Sequence, residues 1–172
     1  MGLFSKLFGR PPDPTADWPI VSDPLPAIQL EPFAIGRLRL GDPLDAARFL
    51  GRPDKCDLSK TPGMLTLDYA SRGFELAFDE FRLSDAEFYL GYGTFFSPDP
   101  EEPLCSLCLA DGTQLNAETT RQDIEQLLGK PTKSKVDPED GDEDWSYHLR
   151  GLAMRFKFTR EGRLAVWSLF GE

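Results

Sequence analysis

Two short stretches, LGRP at residues 50–53 and LGKP at residues 128–131, decide the fold that this sequence predicts. They lie 78 positions apart, and the same offset places Tyr69 on Tyr147. The agreement continues without an insertion over about 50 positions, which indicates two copies of one unit. Its further pairs are Arg72-Gly73 with Arg150-Gly151, Phe78 with Phe156, Phe88 with Val166, and Tyr89 with Trp167.

A helix signal opens each copy. In the first, Asp42 is a candidate N-cap, Pro43 suits the first turn, and Gly51 supplies a left-handed stop. In the second, Thr120 and Gly129 occupy the corresponding cap and stop positions. We therefore expect one short helix at the start of each copy.

Three strand signals follow each helix, because apolar and polar residues alternate with a period of two. The runs cover residues 65–69, 74–78 and 86–90 in the first copy, and residues 145–149, 152–158 and 164–166 in the second. Gly73 and Gly151 lie where the first two strands of each copy must turn. The predicted fold is α+β: two tandem helix-plus-antiparallel-meander repeats that form a curved sheet with the helices packed on one face.

The same pattern predicts the domain boundaries. Residues 1–32 form an amphipathic tip and a proline-rich arm, residues 33–93 the first repeat, residues 94–104 a linker, and residues 105–172 the second repeat. The tip places four apolar residues at helical spacing opposite Lys6 and Arg10, namely Leu3, Phe4, Leu7 and Phe8. It is either a weak membrane or partner anchor, or a terminus that frays or docks on the domain.

Composition narrows the function classes. The formal net charge of −10 argues against nucleic-acid binding, which needs a basic face. The three cysteines are an odd number, and the N-terminal stretch lacks the apolar core of a signal peptide. We therefore expect a cytoplasmic protein, peripheral at the inner membrane face if the tip binds lipid.

The candidate chemistry is sparse. Cys105 and Cys108 form a C-x-x-C motif that could bind zinc together with Cys56 and His148. However, the sequence around the motif predicts a strand, on which residues three apart point to opposite faces. His148, the single histidine, has no nucleophile motif beside it. The acidic run at 137–144 has the wrong spacing for an EF-hand and reads as a hairpin loop. We expect no catalytic residue, metal or cofactor.

The repeated pattern resembles one known group of folds. The two LG-x-P stretches, with Tyr69, Gly73, Tyr147 and Gly151, are similar to the repeat shared by the bacterial SmpA/OmlA lipoproteins and the β-lactamase-inhibitor-protein-like fold. The resemblance covers residues 33–92 and 111–170. It implies a non-enzymatic fold that binds other proteins across its sheet.

Strand alternation then predicts a binding surface on the side of the sheet away from the helices. The residues placed there are Asp68, Glu75, Glu87 and Tyr89 in the first copy, and His148, Arg155, Lys157 and Trp167 in the second. Tyr89 and Trp167 would be matched exposed aromatics of the kind found at interface hot spots. The predicted function is a protein-binding module, such as an inhibitor or an immunity protein. The alternatives are a membrane-proximal adaptor anchored through residues 1–10 and, less favoured, an enzyme or zinc protein.

Overall fold

The computed structural model describes residues 12–92, 104–149 and 151–171 of the 172-residue chain. These residues are mostly antiparallel β structure, with one α-helix, α1 (Arg121–Leu128), and two 3-10 helices, Leu44–Leu50 and Ala70–Arg72. The strands are β1 (Ile28–Leu30), β2 (Phe33–Ile35), β3 (Leu38–Arg39), β4 (Lys55–Leu58), β5 (Leu65–Tyr69), β6 (Phe74–Asp79), β7 (Arg82–Tyr89), β8 (Leu107–Cys108), β9 (Gln114–Leu115), β10 (Lys133–Val136), β11 (Glu143–Leu149), β12 (Leu152–Phe158) and β13 (Leu164–Gly171).

Eight of these strands form one antiparallel sheet in the order β10-β11-β12-β13-β7-β6-β5-β4. We call β4–β7 the first half and β10–β13 the second half; each is a meander of four strands. The halves join where β13 pairs with β7. In addition, β1, β2 and β3 form a three-stranded sheet, and β8 pairs with β9. The large sheet is therefore continuous from one half to the other.

One face of the large sheet carries the hydrophobic core. Strand alternation points most of the leucine and aromatic side chains of both halves to this face. Trp18 of the arm, Ile35 of β2, Leu50 of the first 3-10 helix and Ile124 of α1 belong to the same buried cluster. Phe78 and Phe156, which the repeat register predicts to be buried, are each 1% exposed. The elements outside the sheet therefore cover its apolar face.

The prediction of two helix-plus-meander repeats is wrong. Residues Leu44–Leu50 form a 3-10 helix rather than an α-helix, and β1–β3 and β8–β9 lie outside the two meanders. Asp42 does not cap this segment, since its carboxylate accepts a backbone N–H of the preceding turn. The Asp42 carbonyl accepts Leu83 N–H, and Leu44 N–H donates to the Phe81 carbonyl, both at 2.9 Å. Pairing with the start of β7 therefore takes the place of an N-cap, and only a short, tight helix follows.

The helix predicted in the second copy is present, and its cap at Thr120 is confirmed. Thr120 Oγ1 accepts the Asp123 backbone N–H at 3.3 Å, and the Asp123 carboxylate accepts the Thr120 backbone N–H at 2.8 Å. This reciprocal pair is a capping box, which satisfies two amide groups that the helix leaves open. Gly129 ends the helix with a φ of +78°. Here local sequence alone was sufficient to define the helix.

Part of the predicted arm is ordered structure. Trp18 is buried, and the Arg48 guanidinium donates to the Asp17 carbonyl at 2.9 Å. The end of the arm forms β1, which the high proline content did not suggest. The apolar tip at residues 1–10 and positions 94–103 of the linker lie outside the described residues.

The last hairpins of the two halves differ in length, and this reverses one predicted orientation. Leu76 pairs with Ala86 in the first hairpin, and Met154 pairs with Leu169 in the second. Met154 lies 78 positions after Leu76, whereas Leu169 lies 83 positions after Ala86. The second hairpin is longer by five residues, an odd number, so inward and outward positions exchange along β13. Trp167 consequently lies on the core face and is 0% exposed. The prediction that it points outward is wrong.

Candidate protein-binding face

The polar face, as we call it, consists of the side chains of the large sheet that point away from the core. Its central row crosses the sheet through seven registered pairs, with one residue from each strand. In order, the row is Lys55, Asp68, Glu75, Glu87, Ser168, Arg155, Ser146 and Lys133. Neighbouring strands lie about 4.8 Å apart, so adjacent members of this row interact directly.

Three carboxylates lie side by side in the first half. Glu75 is registered with Asp68 on one side and Glu87 on the other. Burial, reinforced by the charges of Glu87 and Asp68, raises the pKa of Glu75 to about 7. Burial also raises the pKa of Asp68, and the nearby Asp54 adds to the shift. Like charges directly opposite each other destabilise a sheet, so this arrangement works against folding.

The two halves meet at β7 and β13. Ser168 Oγ donates a hydrogen bond of 2.6 Å to Glu87 Oε2, which ties the acidic row to the second half. Tyr89 is registered with Val166 across the same junction. Burial and then the Glu87 charge raise the pKa of Tyr89 above its ordinary value, so the phenol stays protonated. Phe170 is 38% exposed and gives the junction an accessible aromatic side chain.

Cations dominate the second half of the polar face. The Arg155 guanidinium binds the Asp144 carboxylate through Nε–Oδ1 at 3.1 Å and Nη2–Oδ2 at 2.5 Å. Lys133 and Lys135 lie on the exposed edge strand β10, and Lys135 is registered with Asp144. Lys157 is also on this face but is only 7% exposed. Burial raises the pKa of Asp142, which directly precedes β11, and the charge of Lys157 partly offsets that shift.

The polar face is therefore divided by charge along the β7–β13 junction. In the first half, the charges of Asp79 and Arg82 cancel each other. The remaining charged side chains on this face are one cation, Lys55, and five acids: Asp57, Asp68, Glu75, Asp85 and Glu87. The strands of the second half contribute four cations, Lys133, Lys135, Arg155 and Lys157, against Asp144. Lys157 is buried, so the accessible cations of the second half are Lys133, Lys135 and Arg155, in a chain whose net charge is −10.

Seven of the eight residues predicted to bind a partner lie on the polar face: Asp68, Glu75, Glu87, Tyr89, His148, Arg155 and Lys157. The eighth, Trp167, lies in the core and stacks on Phe156 with ring centroids 5.5 Å apart. The predicted pair of exposed aromatics therefore does not exist. Tyr89 lies on the polar face as predicted, but its neighbour across the junction is an aliphatic side chain rather than a second aromatic one.

Lys133, Lys135 and Ser168 belong to the polar face but were missed from the sequence. The first two lie on β10, whose four residues are all exposed and lack apolar alternation. Ser168 was missed because the gapless alignment placed β13 out of register. A K-x-K pattern directly before a predicted strand is the signal that could have indicated an edge strand with both lysines on one side.

The other candidate chemistry does not converge. Cys56, Cys105 and Cys108 form no disulfide, and burial raises the pKa of Cys105 to about 12, which keeps it protonated. Within residues 12–92, 104–149 and 151–171, no three His, Cys, Asp or Glu side chains are close enough together to hold a metal ion. No helix in these ranges has the length and apolar character needed to cross a bilayer.

Comparison with known proteins gives no family. No family model matches the sequence, and no curated protein matches it. One solved structure that resembles the fold is the crystal structure of a DUF4309 family protein, YjgB, from Bacillus subtilis. The two chains are 13% identical with a TM-score of 0.43, and the match covers 74% of this chain and 76% of the other. A likeness of this extent does not indicate a function.

Proposed function

We propose that this protein is a non-enzymatic protein-binding module that uses the polar face of its eight-stranded sheet. The observation that carries the proposal is the division of this face into an acidic and a basic half. An inhibitor and an immunity protein would both fit, since each acts by covering a surface of its partner.

The acidic row supports binding because folding does not require it. Asp68, Glu75 and Glu87 repel one another across three adjacent strands, and uncharged side chains there would stabilise the sheet. A partner that brings a cation to this row would relieve the repulsion. Charge complementarity of this kind fixes orientation and accelerates association.

The proposed contact differs from the one that the sequence suggested. Trp167 is excluded because it is buried. The aromatic contribution instead comes from Tyr89 and Phe170, which lie on the polar face at the junction between the halves. Electrostatic steering toward Glu75 and Arg155 therefore has a larger share in the proposed interaction than hydrophobic burial has.

Affinity capture from the native host with matched variants tests the proposal. Glu75→Lys reverses the centre of the acidic row, whereas Glu139→Lys makes the same change in an exposed loop outside the polar face. A protein captured through this face should bind the wild type and the Glu139→Lys control equally, and the Glu75→Lys variant at least about tenfold more weakly. Equal capture by all three chains, with unchanged circular dichroism, would refute the proposed surface.

A further inference from the structure

We infer that a cleft between the three-stranded sheet and the β11–β12 turn binds an aliphatic carboxylic acid. The cleft has a volume of about 450 Å³, and two charged residues, Glu31 and Arg39, line it together with apolar side chains. The apolar side chains, which define what we call the leucine cleft, are Leu30, Phe33, Leu40, Leu149 and Leu152. This site goes beyond the proposed function, because it lies on the core side of the large sheet and not on the polar face.

The leucine cleft is a gap in the cover of the apolar face. Leu149 and Leu152 are registered across the β11–β12 turn, and strand alternation points both toward the core side. Leu30 of β1, Phe33 of β2 and Leu40, which directly follows β3, approach from the three-stranded sheet. Phe33 and Leu152 are buried, whereas the other three leucines are only partly buried. Their remaining exposed surface is available to a ligand with an apolar chain, whose transfer out of water is favourable.

The size and lining of the cleft favour one aliphatic chain. Small-molecule sites enclose roughly 300–1,000 Å³ and have mostly apolar walls with a few polar groups. The leucine cleft lies toward the lower end of this range, which suits a single chain of about ten carbons rather than a lipid with two chains. Its only aromatic lining residue, Phe33, is 5% exposed, so the accessible wall is aliphatic.

Arg39 determines the charge of the head group. Its backbone N–H donates to the Asp42 carboxylate at 2.8 Å, which fixes the end of β3. Its exposed guanidinium, by contrast, has no hydrogen-bond, ion-pair or ring partner within residues 12–92, 104–149 and 151–171. The other charged lining residue, Glu31, already has an interaction of its own. A guanidinium binds a carboxylate through two parallel N–H bonds, so the cleft favours an acid.

Isothermal titration calorimetry of the full chain with decanoate tests the inference. We expect saturable binding of one decanoate per chain with a dissociation constant below about 100 µM. The affinity should fall about two- to fourfold for each methylene removed between decanoate and octanoate, because the cleft buries the chain. Binding that does not saturate, or an affinity independent of chain length, would overturn the inference, since neither requires a defined cleft.

Ligands with the same chain and a different head group provide the second measurement. Decanoate should bind at least about tenfold more tightly than 1-decanol or decylammonium, because only the carboxylate accepts both guanidinium hydrogen bonds. Tighter binding of decylammonium would show that Glu31 rather than Arg39 selects the charge, which would also overturn the inference.

Variants test the two parts of the cleft separately. Arg39→Gln should weaken decanoate binding at least about tenfold and leave 1-decanol binding unchanged, because it removes the charge and keeps the apolar wall. Arg160→Gln is the matched control, since Arg160 is exposed and follows the opposite end of β12. Equal decanoate binding by Arg39→Gln and this control would contradict the head-group site.

Leu149→Trp fills the cleft and should abolish binding of both decanoate and 1-decanol, with circular dichroism verifying that every variant is folded. Unchanged binding by this variant would place the ligand elsewhere. If decanoate binds only after removal of residues 1–11, that segment occupies the cleft, and if decanoate dissociates an oligomer, a second copy does. Either result would overturn the inference without bearing on the polar face.

Discussion

The two halves of the large sheet have the same internal architecture but opposite surface charge. Tyr69 Oη donates to the Gly51 carbonyl in the first half, and Tyr147 Oη donates to the Gly129 carbonyl in the second, both at 3.0 Å. On the polar face, by contrast, Glu75 of β6 and Arg155 of β12 lie in the same registered row and carry opposite charges. The core face is constrained by packing, which admits few alternatives. The polar face is free of that constraint, so the charges on it can differ between the two halves according to function.

The largest effect on stability is expected from Trp167 and Tyr89, which the sequence repeat makes equivalent but which lie on opposite faces of the sheet. Trp167→Ala should lower the free energy of unfolding by about 3–5 kcal/mol, because it empties a buried site between the Phe88 and Phe156 rings. Tyr89→Ala removes a half-buried side chain from the polar face and should cost about 1 kcal/mol. Urea unfolding of both variants measures the difference. Equal losses would contradict the opposite orientations.

The next effect concerns the acidic row. Burial and then the charges of Glu87 and Asp68 raise the pKa of Glu75 from its ordinary 4.5 to about 7, so the folded chain binds more protons than the unfolded chain between these values. The contribution of Glu75 to stability is therefore fully present below pH 4.5 and lost as the pH rises through about 7. Glu75→Gln should remove this dependence and exceed the wild type at pH 8 by about 1–3 kcal/mol, since the group is partly solvent-screened.

Unfolding curves at pH 5 and pH 8 provide that measurement, and Glu139→Gln is the matched control. The control removes a carboxylate from an exposed loop and should follow the wild type at both values. A Glu75→Gln variant with the pH dependence of the wild type would show that the three carboxylates are not coupled.

A smaller effect should distinguish the two phenol hydrogen bonds. The Tyr69 bond to Gly51 is buried, whereas the Tyr147 bond to Gly129 is partly buried. Tyr69→Phe should cost about 1–2 kcal/mol, because the Gly51 carbonyl loses a partner away from water, and Tyr147→Phe about 0.5–1 kcal/mol. Chemical denaturation of both variants under the same conditions compares them. A larger loss of stability for Tyr147→Phe than for Tyr69→Phe would contradict this order of burial.

The smallest effect is expected at the hairpins that differ in length. The β6–β7 turn has Glu80 and Phe81 at φ of +50° and +58°, which is unfavourable for residues with side chains. In the β12–β13 loop, a glycine, Gly162, takes the positive φ of +83°. Phe81→Gly should therefore raise stability by about 0.5–1 kcal/mol, and Gly162→Ala should lower it by a similar amount. Melting temperatures that move in the same direction for both would contradict this assignment.

Much of the sheet could be predicted because its signals are local. Alternating apolar residues identified strands β5, β6, β11 and β12, and Gly73 and Gly151 adopt the positive φ expected at their turns. The helix α1 was predictable because Thr120 and Asp123 cap it within one turn. Edge strands β4 and β10 were missed, since a strand that buries few side chains has no apolar alternation to detect.

The helix predicted at residues 42–50 failed for a different reason. Its composition favours a helix, but its first residues are hydrogen-bonded to the start of β7. Strand β7 lies about 40 positions later in the chain, so no local sequence pattern indicates this contact. Tertiary hydrogen bonds outweighed a preference that amounts to a few tenths of a kcal/mol per residue.

Local sequence determined the strands of each meander, their turns and the face to which most side chains point, because all three depend on neighbours within a few residues. Only the tertiary structure decided that β13 pairs with β7, which brings Glu87 against Ser168 and divides one continuous face by charge. It also decided that Trp167 is buried, because the pairing register of β13 depends on the length of the loop before it. A shift of an odd number of residues exchanges the two faces of a strand, and only the hydrogen-bonded partner strand determines whether that shift is present.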